Sequence, residues 1–527
     1  VQRGGYTAEY GDRTYGVFNV VTRSGFERND EGELLVNYGS FNSTDDELSF
    51  GSHSDKFAYF TSISGNRSDL GLETPIENVI HDQAAGVGQF NSLIYNPSNT
   101  DQFRLITSMR GDHYQIPNDL TQQATGIRDV EDERDAFVNF SWVHTVGQGI
   151  VLTVAPFYHF NRADYSGGLS DTPIIPRQNR GSNYAGGVAT VAVQAGTHNM
   201  RFGFEGFGQH DDEFFSVVQA GGRTIAQMQT PTGDSESLYA EDHWRATPWL
   251  TFNGGIRLNR FSGLLTETAA DPRLGAAVQF PMHWVLRGFY GRYYQPPPLD
   301  TVSGPLLQFA AAQGFGFLPL RGERDEQAEI GLSIPARGWT SDFDVFRTHA
   351  HNFFDHDVIG NSNIFLPLTI QAARIYGGEG MIKSPEIAHH LRLHIAYSHQ
   401  FAEGRGGVSG GLTDFFPPGN QFFFLDHDQR DTLELGSEAT LPWRSWISAS
   451  YNFGSGFLNG NGPEHLPAHY TFDLSLGKSV GENWEFRLDA MNVGNNRYLL
   501  DNSNTFGGTH WVNPREISGS VRWKFHY

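Results

Sequence analysis

The side chains best placed to do chemistry are histidines and carboxylates that fall close together in Thr348-His349-Ala350-His351-Asn352-Phe353-Phe354-Asp355-His356-Asp357. Imidazole and carboxylate both ligate transition metals, and two histidines two apart share a face if the segment is extended. His349, His351 and His356 are therefore the candidate metal ligands, although a solvated loop also collects His and Asp with no metal present. His390, Arg392 and His394 alternate with Leu391, Leu393 and Ile395. They could contact a ligand, and the expectation is that they line a wet interior. Phe415, Phe416, Phe422, Phe423 and Phe424 flank Pro417-Pro418-Gly419. Exposed rings of this kind can grip a ligand or touch lipid, but packing of one loop on another is the expectation. The carboxylates Asp211-Asp212-Glu213 fall in an expected loop, without a dry pocket to separate their pKa values into an acid and a base. Gly454-Ser455-Gly456 comes nearest to a nucleophile elbow, yet no helix is predicted after it. Metalloprotease, phosphate-loop and dinucleotide signatures are absent. The reading is of a protein without catalytic residues or a cofactor.

Composition narrows the class of function. The chain has 59 acidic against 37 basic residues, a formal charge of −22, which argues against a nucleic-acid binder needing a basic face. With no cysteine, disulfides, thiolate metal sites and Cys nucleophiles are excluded. No apolar run of about 18 residues occurs, so neither a transmembrane helix nor a signal-peptide core is present in these residues. A mean hydropathy of −0.41 would suggest a water-soluble protein. The pattern along the chain points elsewhere.

Apolar side chains alternate with polar ones. In the last segment Ile517, Val521, Trp523, Phe525 and Tyr527 share one parity, and Ser518, Ser520, Arg522, Lys524 and His526 the other. Tyr470, Phe472, Leu474 and Leu476 oppose Thr471, Asp473 and Ser475. Trp484, Phe486, Leu488 and Ala490 oppose Glu485, Arg487 and Asp489, while Leu433, Leu435, Ala439 and Leu441 oppose Glu434, Glu438 and Thr440. Period two means strands with one greasy and one wet face. Twenty-two such segments can be placed, from 33–42, 44–53 and 56–67 through 135–146, 249–261 and 338–349 to 468–480, 483–492 and 515–527. Those near 84–94, 103–113 and 371–383 rest on spacing more than on alternation. Short turns such as 247–249, 281–283 and 480–482 alternate with long loops at 114–134, 211–235, 295–323, 350–370, 402–429 and 493–514. This asymmetry predicts an all-β, transmembrane antiparallel barrel with tight periplasmic turns and long outer loops. Trp142, Trp244, Trp249, Trp284, Trp339, Trp446, Trp484, Trp511 and Trp523 are expected in aromatic girdles at the two lipid interfaces. The competing reading is a soluble all-β binding protein, but the roughly 40-residue repeat of a propeller is not found.

Several segments carry a family resemblance. The aromatic end Phe525-His526-Tyr527 resembles the C-terminal strand of Gram-negative outer-membrane barrels. Asn492-Val493-Gly494-Asn495-Asn496-Arg497-Tyr498, Gly507-Gly508-Thr509-His510-Trp511 and Pro514-Arg515-Glu516 resemble the closing region of TonB-dependent receptors. Asp271-Pro272-Arg273-Leu274-Gly275, Gly291-Arg292-Tyr293-Tyr294-Gln295-Pro296-Pro297, Glu326-Gln327-Ala328-Glu329-Ile330-Gly331-Leu332 and Leu425-Asp426-His427-Asp428-Gln429-Arg430 resemble its mid-barrel segments. Arg3-Gly4-Gly5-Tyr6-Thr7-Ala8-Glu9-Tyr10-Gly11-Asp12 and Val17-Phe18-Asn19-Val20-Val21-Thr22-Arg23-Ser24-Gly25 look like the last part of the plug domain.

The resemblance implies that residues 1–28 are a plug remnant, residues 29–527 the barrel, and the 527 residues a fragment or truncated product. It further implies a monomeric outer-membrane receptor, set in lipid and lipopolysaccharide, that takes up a nutrient such as a ferric siderophore, cobalamin, glycan or peptide. TonB would be a partner only where the rest of the plug is present. A passive pore or surface adhesin on the same wall is the alternative, because a 22-stranded barrel with an empty lumen is a wide aqueous channel.

Overall fold

Alternating sequence becomes a closed wall. The computed structural model describes residues 5–170, 174–219, 222–263, 265–299, 320–358, 365–410, 419–426, 428–502 and 509–527. Twenty-two antiparallel strands form one closed barrel, and each of the 22 expected segments lies on one of them. The first strand, Glu31–Gly39, pairs with the last, Glu516–His526, in an unbroken register from Glu31 opposite His526 to Gly39 opposite Ser518. That pairing removes the sheet edge. Lipid offers no partner to backbone N–H and C=O, so only a sheet without edges can cross it.

Two faces separate along every strand. Val345 and Ile330 are 67% and 65% exposed on the outside of the wall, and Ile256, Leu274, Ile395 and Leu488 share that face. Their partners of opposite parity, such as Arg257, Asp271 and Arg273, are buried within the lumen. An outer face this greasy belongs in lipid, which removes the soluble alternative. Turns at one end are short, as between Ala195 and His198 or between Ala336 and Trp339, and connections at the other end are longer.

Four expectations are corrected. Several segments read as loops are strands that continue past the apolar belt. His198–Gln219, Trp339–Val358, Phe365–Lys383 and Leu391–Gly410 all extend into them. Beyond the lipid the outer face meets water while the inner face packs on lumen residues such as Phe215, Val217 and Ala350, so the apolar-out, polar-in alternation fades although the hydrogen-bond ladder continues. Asp211-Asp212-Glu213 accordingly lies on a strand, with Asp211 and Glu213 buried toward the lumen and Asp212 on the opposite face. Trp446 has the parity of the wet face, beside Arg487, and Trp511 belongs to a small ribbon in the last long connection. The connection 116–129 holds a short helix, Leu120–Thr125, with Asp119 and Gln122 closing a capping box and Gly126 ending it in the left-handed region.

The connection 69–83 carries a pH-sensitive contact outside the membrane. Leu72 N–H donates to the Asp82 carboxylate at 2.8 Å, and Gly71 N–H to its backbone carbonyl at 2.8 Å. Asp82 is 2% exposed and its second carboxylate oxygen has no partner. Burial pushes its pKa up from 3.8 to about 7, against the hydrogen bonds from Leu72 and Gly71 that pull it down. A raised folded-state pKa means that this contribution to stability is full below pH ~4 and is lost as pH rises to about 7. Amide-exchange protection at Leu72, corrected for intrinsic rate, should therefore fall between pH 4 and 7 and then level off. Asp82→Asn should flatten the profile, and a flat profile in the unaltered chain would contradict this assignment.

Candidate functional site

Residues 5–30 enter the lumen, and residues 6–10 are gripped by arginines on the wet parity of three wall strands, the first separated from the other two by Thr232–Thr247. Arg201 comes from His198–Gln219, Arg257 from Leu250–Ser262 and Arg273 from Thr266–Gln279. Arginine suits this task because its planar fork reaches several acceptors at once and keeps its charge when buried.

Arg273 donates to the carbonyls of Tyr6 and Tyr10 at 3.3 and 2.7 Å, and also to that of Thr7. Its guanidinium lies 5.0 Å from the Tyr6 ring centre and 4.4 Å from that of Tyr293, an aromatic clamp around a buried cation. Arg257 has no exposed surface. It donates to the Glu9 carbonyl at 2.9 Å, to Glu205 at 2.7 Å and to Asn259 at 2.9 Å, and Asn259 donates onward to Asp271 at 2.6 Å. A side chain at Gly11 would place its first carbon 2.0 Å from the Arg257 guanidinium, so only glycine permits this approach. Arg201 donates to the Glu9 carboxylate, while Glu9 N–H donates to Glu241 at 3.1 Å. Further along, Thr14 and Tyr15 hydroxyls donate to the buried Glu323 at 2.8 and 3.1 Å, and Gln327 donates to the Thr14 carbonyl at 2.8 Å.

The apolar part of this junction is small. Tyr6, Val17 and Tyr293 form its buried cluster, with Tyr10 and Phe289 against it. Between the segment and the wall lies a cavity of about 300 Å³, bordered by Tyr6, Thr7, Ala8, Arg201, Glu241 and Arg273. A second, more polar cavity of about 380 Å³ is lined by Asp112, Glu133, Asp135, Asp211, Glu213 and Arg180. The junction is thus held mainly by polar contacts. A chain segment held in this way can be released without unpacking a hydrophobic core.

The structure disperses the residues singled out from sequence. His349 and His351 share one face of Trp339–Val358, and that face is the outside of the wall, since it also carries the exposed Phe343 and Val345. His356 follows a break at Asn352, where φ is +55°, and pairs across to Pro367. Among the described residues no three His, Asp or Glu side chains converge to hold a metal ion. His394 faces the lumen 3.2 Å from Glu434, Arg392 has the same parity, and His390 falls in the tight turn before their strand. Phe422–Phe424 forms a short strand on Glu403–Arg405. Phe423 packs on the buried cluster of Ala350, Leu368, Ile370, Ala373 and Leu425, whereas the Phe422 ring lies 3.6 Å from the Arg374 guanidinium carbon. Phe415, Phe416 and His427 lie outside the described residues.

Sequence reading missed the arginine grip. The signal it could have used is arginine at polar positions of otherwise greasy strands. Arg273 and Tyr293 already stood within the segments that carry the family resemblance.

Comparison with known proteins agrees with the closed antiparallel wall. Residues 84–493 match the family model described as TonB dependent receptor-like, beta-barrel. No curated protein matches the sequence. Among solved structures, the copper transporter OprC aligns with a TM-score of 0.74 at 12% identity, over 94% of this chain and 80% of that one. The ferric yersiniabactin uptake receptor FyuA from Yersinia pestis aligns with a TM-score of 0.74 at 13% identity, over 94% and 80%. The ferric citrate transporter FecA in its unliganded form aligns with a TM-score of 0.73 at 14% identity, over 94% and 78%. At such identities the likeness carries the fold, and the family model carries the kinship. The chain belongs to the TonB-dependent receptor family and forms its outer-membrane β-barrel.

Proposed function

We propose that this barrel is the wall of a nutrient-uptake receptor, binding a small-molecule ligand from outside and admitting it through the lumen when the N-terminal segment moves. The observation that carries this reading is the grip of Arg201, Arg257 and Arg273 on residues 6–10 inside a closed wall. A passive pore or an adhesin has no use for an internal segment held at so many points. On this reading residues 1–28 are the last part of a plug, and TonB is the partner of the plug rather than of the wall. The copper, ferric yersiniabactin and ferric citrate named for the similar structures favour a metal or a metal chelate as cargo.

Deleting the coding sequence should abolish uptake of one member of a labelled panel of ferric siderophores, ferric citrate, copper, cobalamin and glycans. Uptake of every member at unchanged rates would overturn the proposal. The family relation would stand in either case.

A further inference from the structure

Arg273 is a buried cation without a counter-ion. It is 3% exposed, and among the described residues its guanidinium makes no ion pair. The other two arginines of the grip are compensated. Arg201 has Glu9 and, at 3.8 Å, Glu241, while Arg257 has Glu205 at 2.7 Å and Asp12 at 3.9 Å. Asp271, two residues from Arg273 on the same face, is taken by Asn259 at 2.6 Å. The carbonyls of Tyr6, Thr7 and Tyr10 all sit on one nitrogen of Arg273, Nη1, and its Nε has no hydrogen-bond partner. A buried charge left in this state costs stability that a bound oxyanion would return.

Arg273 also borders a space able to hold such a partner. The cavity of about 300 Å³ between the segment and the wall is lined on the wall side by Asn199, Asn253, Gly275 and Phe289 as well. A side chain at Gly275 would meet its nearest atoms at 3.6–3.7 Å, an ordinary contact, so the backbone there is bare and the space beside it open. The Phe289 ring supplies an apolar side. Of the charged groups around the cavity, Arg201 and Glu241 offset each other, and Asp242 has the outward parity of Trp244 and pairs with His198 at 2.6 Å. One positive charge is left over, that of Arg273.

We propose that this cavity binds a small organic monocarboxylate, its oxygens on the Arg273 guanidinium and its apolar body on Phe289 and the bare backbone of Gly275, and that the bound anion locks the N-terminal segment in place. A guanidinium fork matches a carboxylate, and with Glu241 on the same border a single negative charge is favoured over a dianion. Tyr6 and Thr7 form part of the lining, so an occupant touches segment and wall together. It binds the gripped state alone and stabilises that state by mass action. The inference rests on the reading of the segment as releasable, and it holds for any cargo.

The test is amide exchange of the full chain folded in lipid vesicles, with sodium benzoate, phosphate or chloride added at equal ionic strength. Benzoate should slow exchange at Tyr6 to Tyr10 saturably, by about tenfold or more, and the other two salts should not. Gly275→Leu fills the cavity without removing a donor of the grip, so protection without benzoate should match the unaltered chain and benzoate should add nothing. Asn253→Leu, which narrows the cavity from a second strand, should do the same. Exchange in the unaltered chain that ignores benzoate would mean that the cavity holds water only, and would overturn the proposal. An equal response to phosphate or chloride, or a benzoate response that survives both leucine variants, would overturn it as well. Uptake is scored separately: a deletion that alters no uptake would remove the transport reading, and the benzoate response would still decide this one.

Discussion

Arg273→Met is expected to free residues 5–15 from the wall while leaving the barrel folded. The substitution removes the donor shared by the carbonyls of Tyr6, Thr7 and Tyr10 and the cation held between the Tyr6 and Tyr293 rings. A hydrogen bond from a charged donor contributes about 1.5–3 kcal/mol, and a buried acceptor left unpaired costs a similar amount. Local anchoring should fall by about 3 kcal/mol, on the order of a hundredfold in the population of the released segment. Amide exchange reads this directly, as a drop in protection of about that size confined to residues 5–15. Protection unchanged at Tyr6 to Tyr10 would show that the grip lies elsewhere. Arg257 is the second anchor, so release should be more complete when both arginines are replaced.

Leu488→Arg should destabilise the folded barrel by about 2–4 kcal/mol, whereas Ser448→Arg should cost little. Leu488 is 49% exposed on the outside and sits opposite Leu476 on one neighbouring strand and Gly519 on the other. An arginine there meets hydrocarbon from every side. Ser448 has the opposite parity, directly across from Glu438, where an arginine gains water and a carboxylate. Denaturant midpoints of the two variants folded in lipid vesicles make the comparison. Equal effects would mean that the two faces do not meet different solvents.

Much of the wall was legible because lipid imposes a simple rule on it. Where one face meets hydrocarbon and the other water, parity alone locates the strand, as in Tyr470 to Leu476 and Trp484 to Ala490. Legibility failed where that rule lapses. The strand from Trp339 runs on to Val358, but beyond Val345 the outer face turns polar while the inner face packs on a buried cluster at Ala350, so the alternation lapses and the pattern reads as loop. The same lapse made His349 and His351 look like a loop cluster when they belong to a ladder. Trp446 misled in another way, since a large ring was assumed to seek the interface and instead has the lumen parity of Arg487. The arginine grip was the hardest to read. Arg201, Arg257 and Arg273 lie 56 and 16 residues apart, and only closure of the wall turns them on one segment.

Closure is the claim on which the rest stands, and the absence of cysteine gives it a clean test. Asn37 and Ser520 are directly opposed across the seam between the first and last strands, both on the lumen parity. Asn37→Cys with Ser520→Cys should form a disulfide in the membrane nearly quantitatively under mild oxidation. The out-of-register pair Asn37→Cys with Lys524→Cys should not. Failure of the first pair to cross-link, or equal cross-linking of both, would contradict a closed barrel with this register.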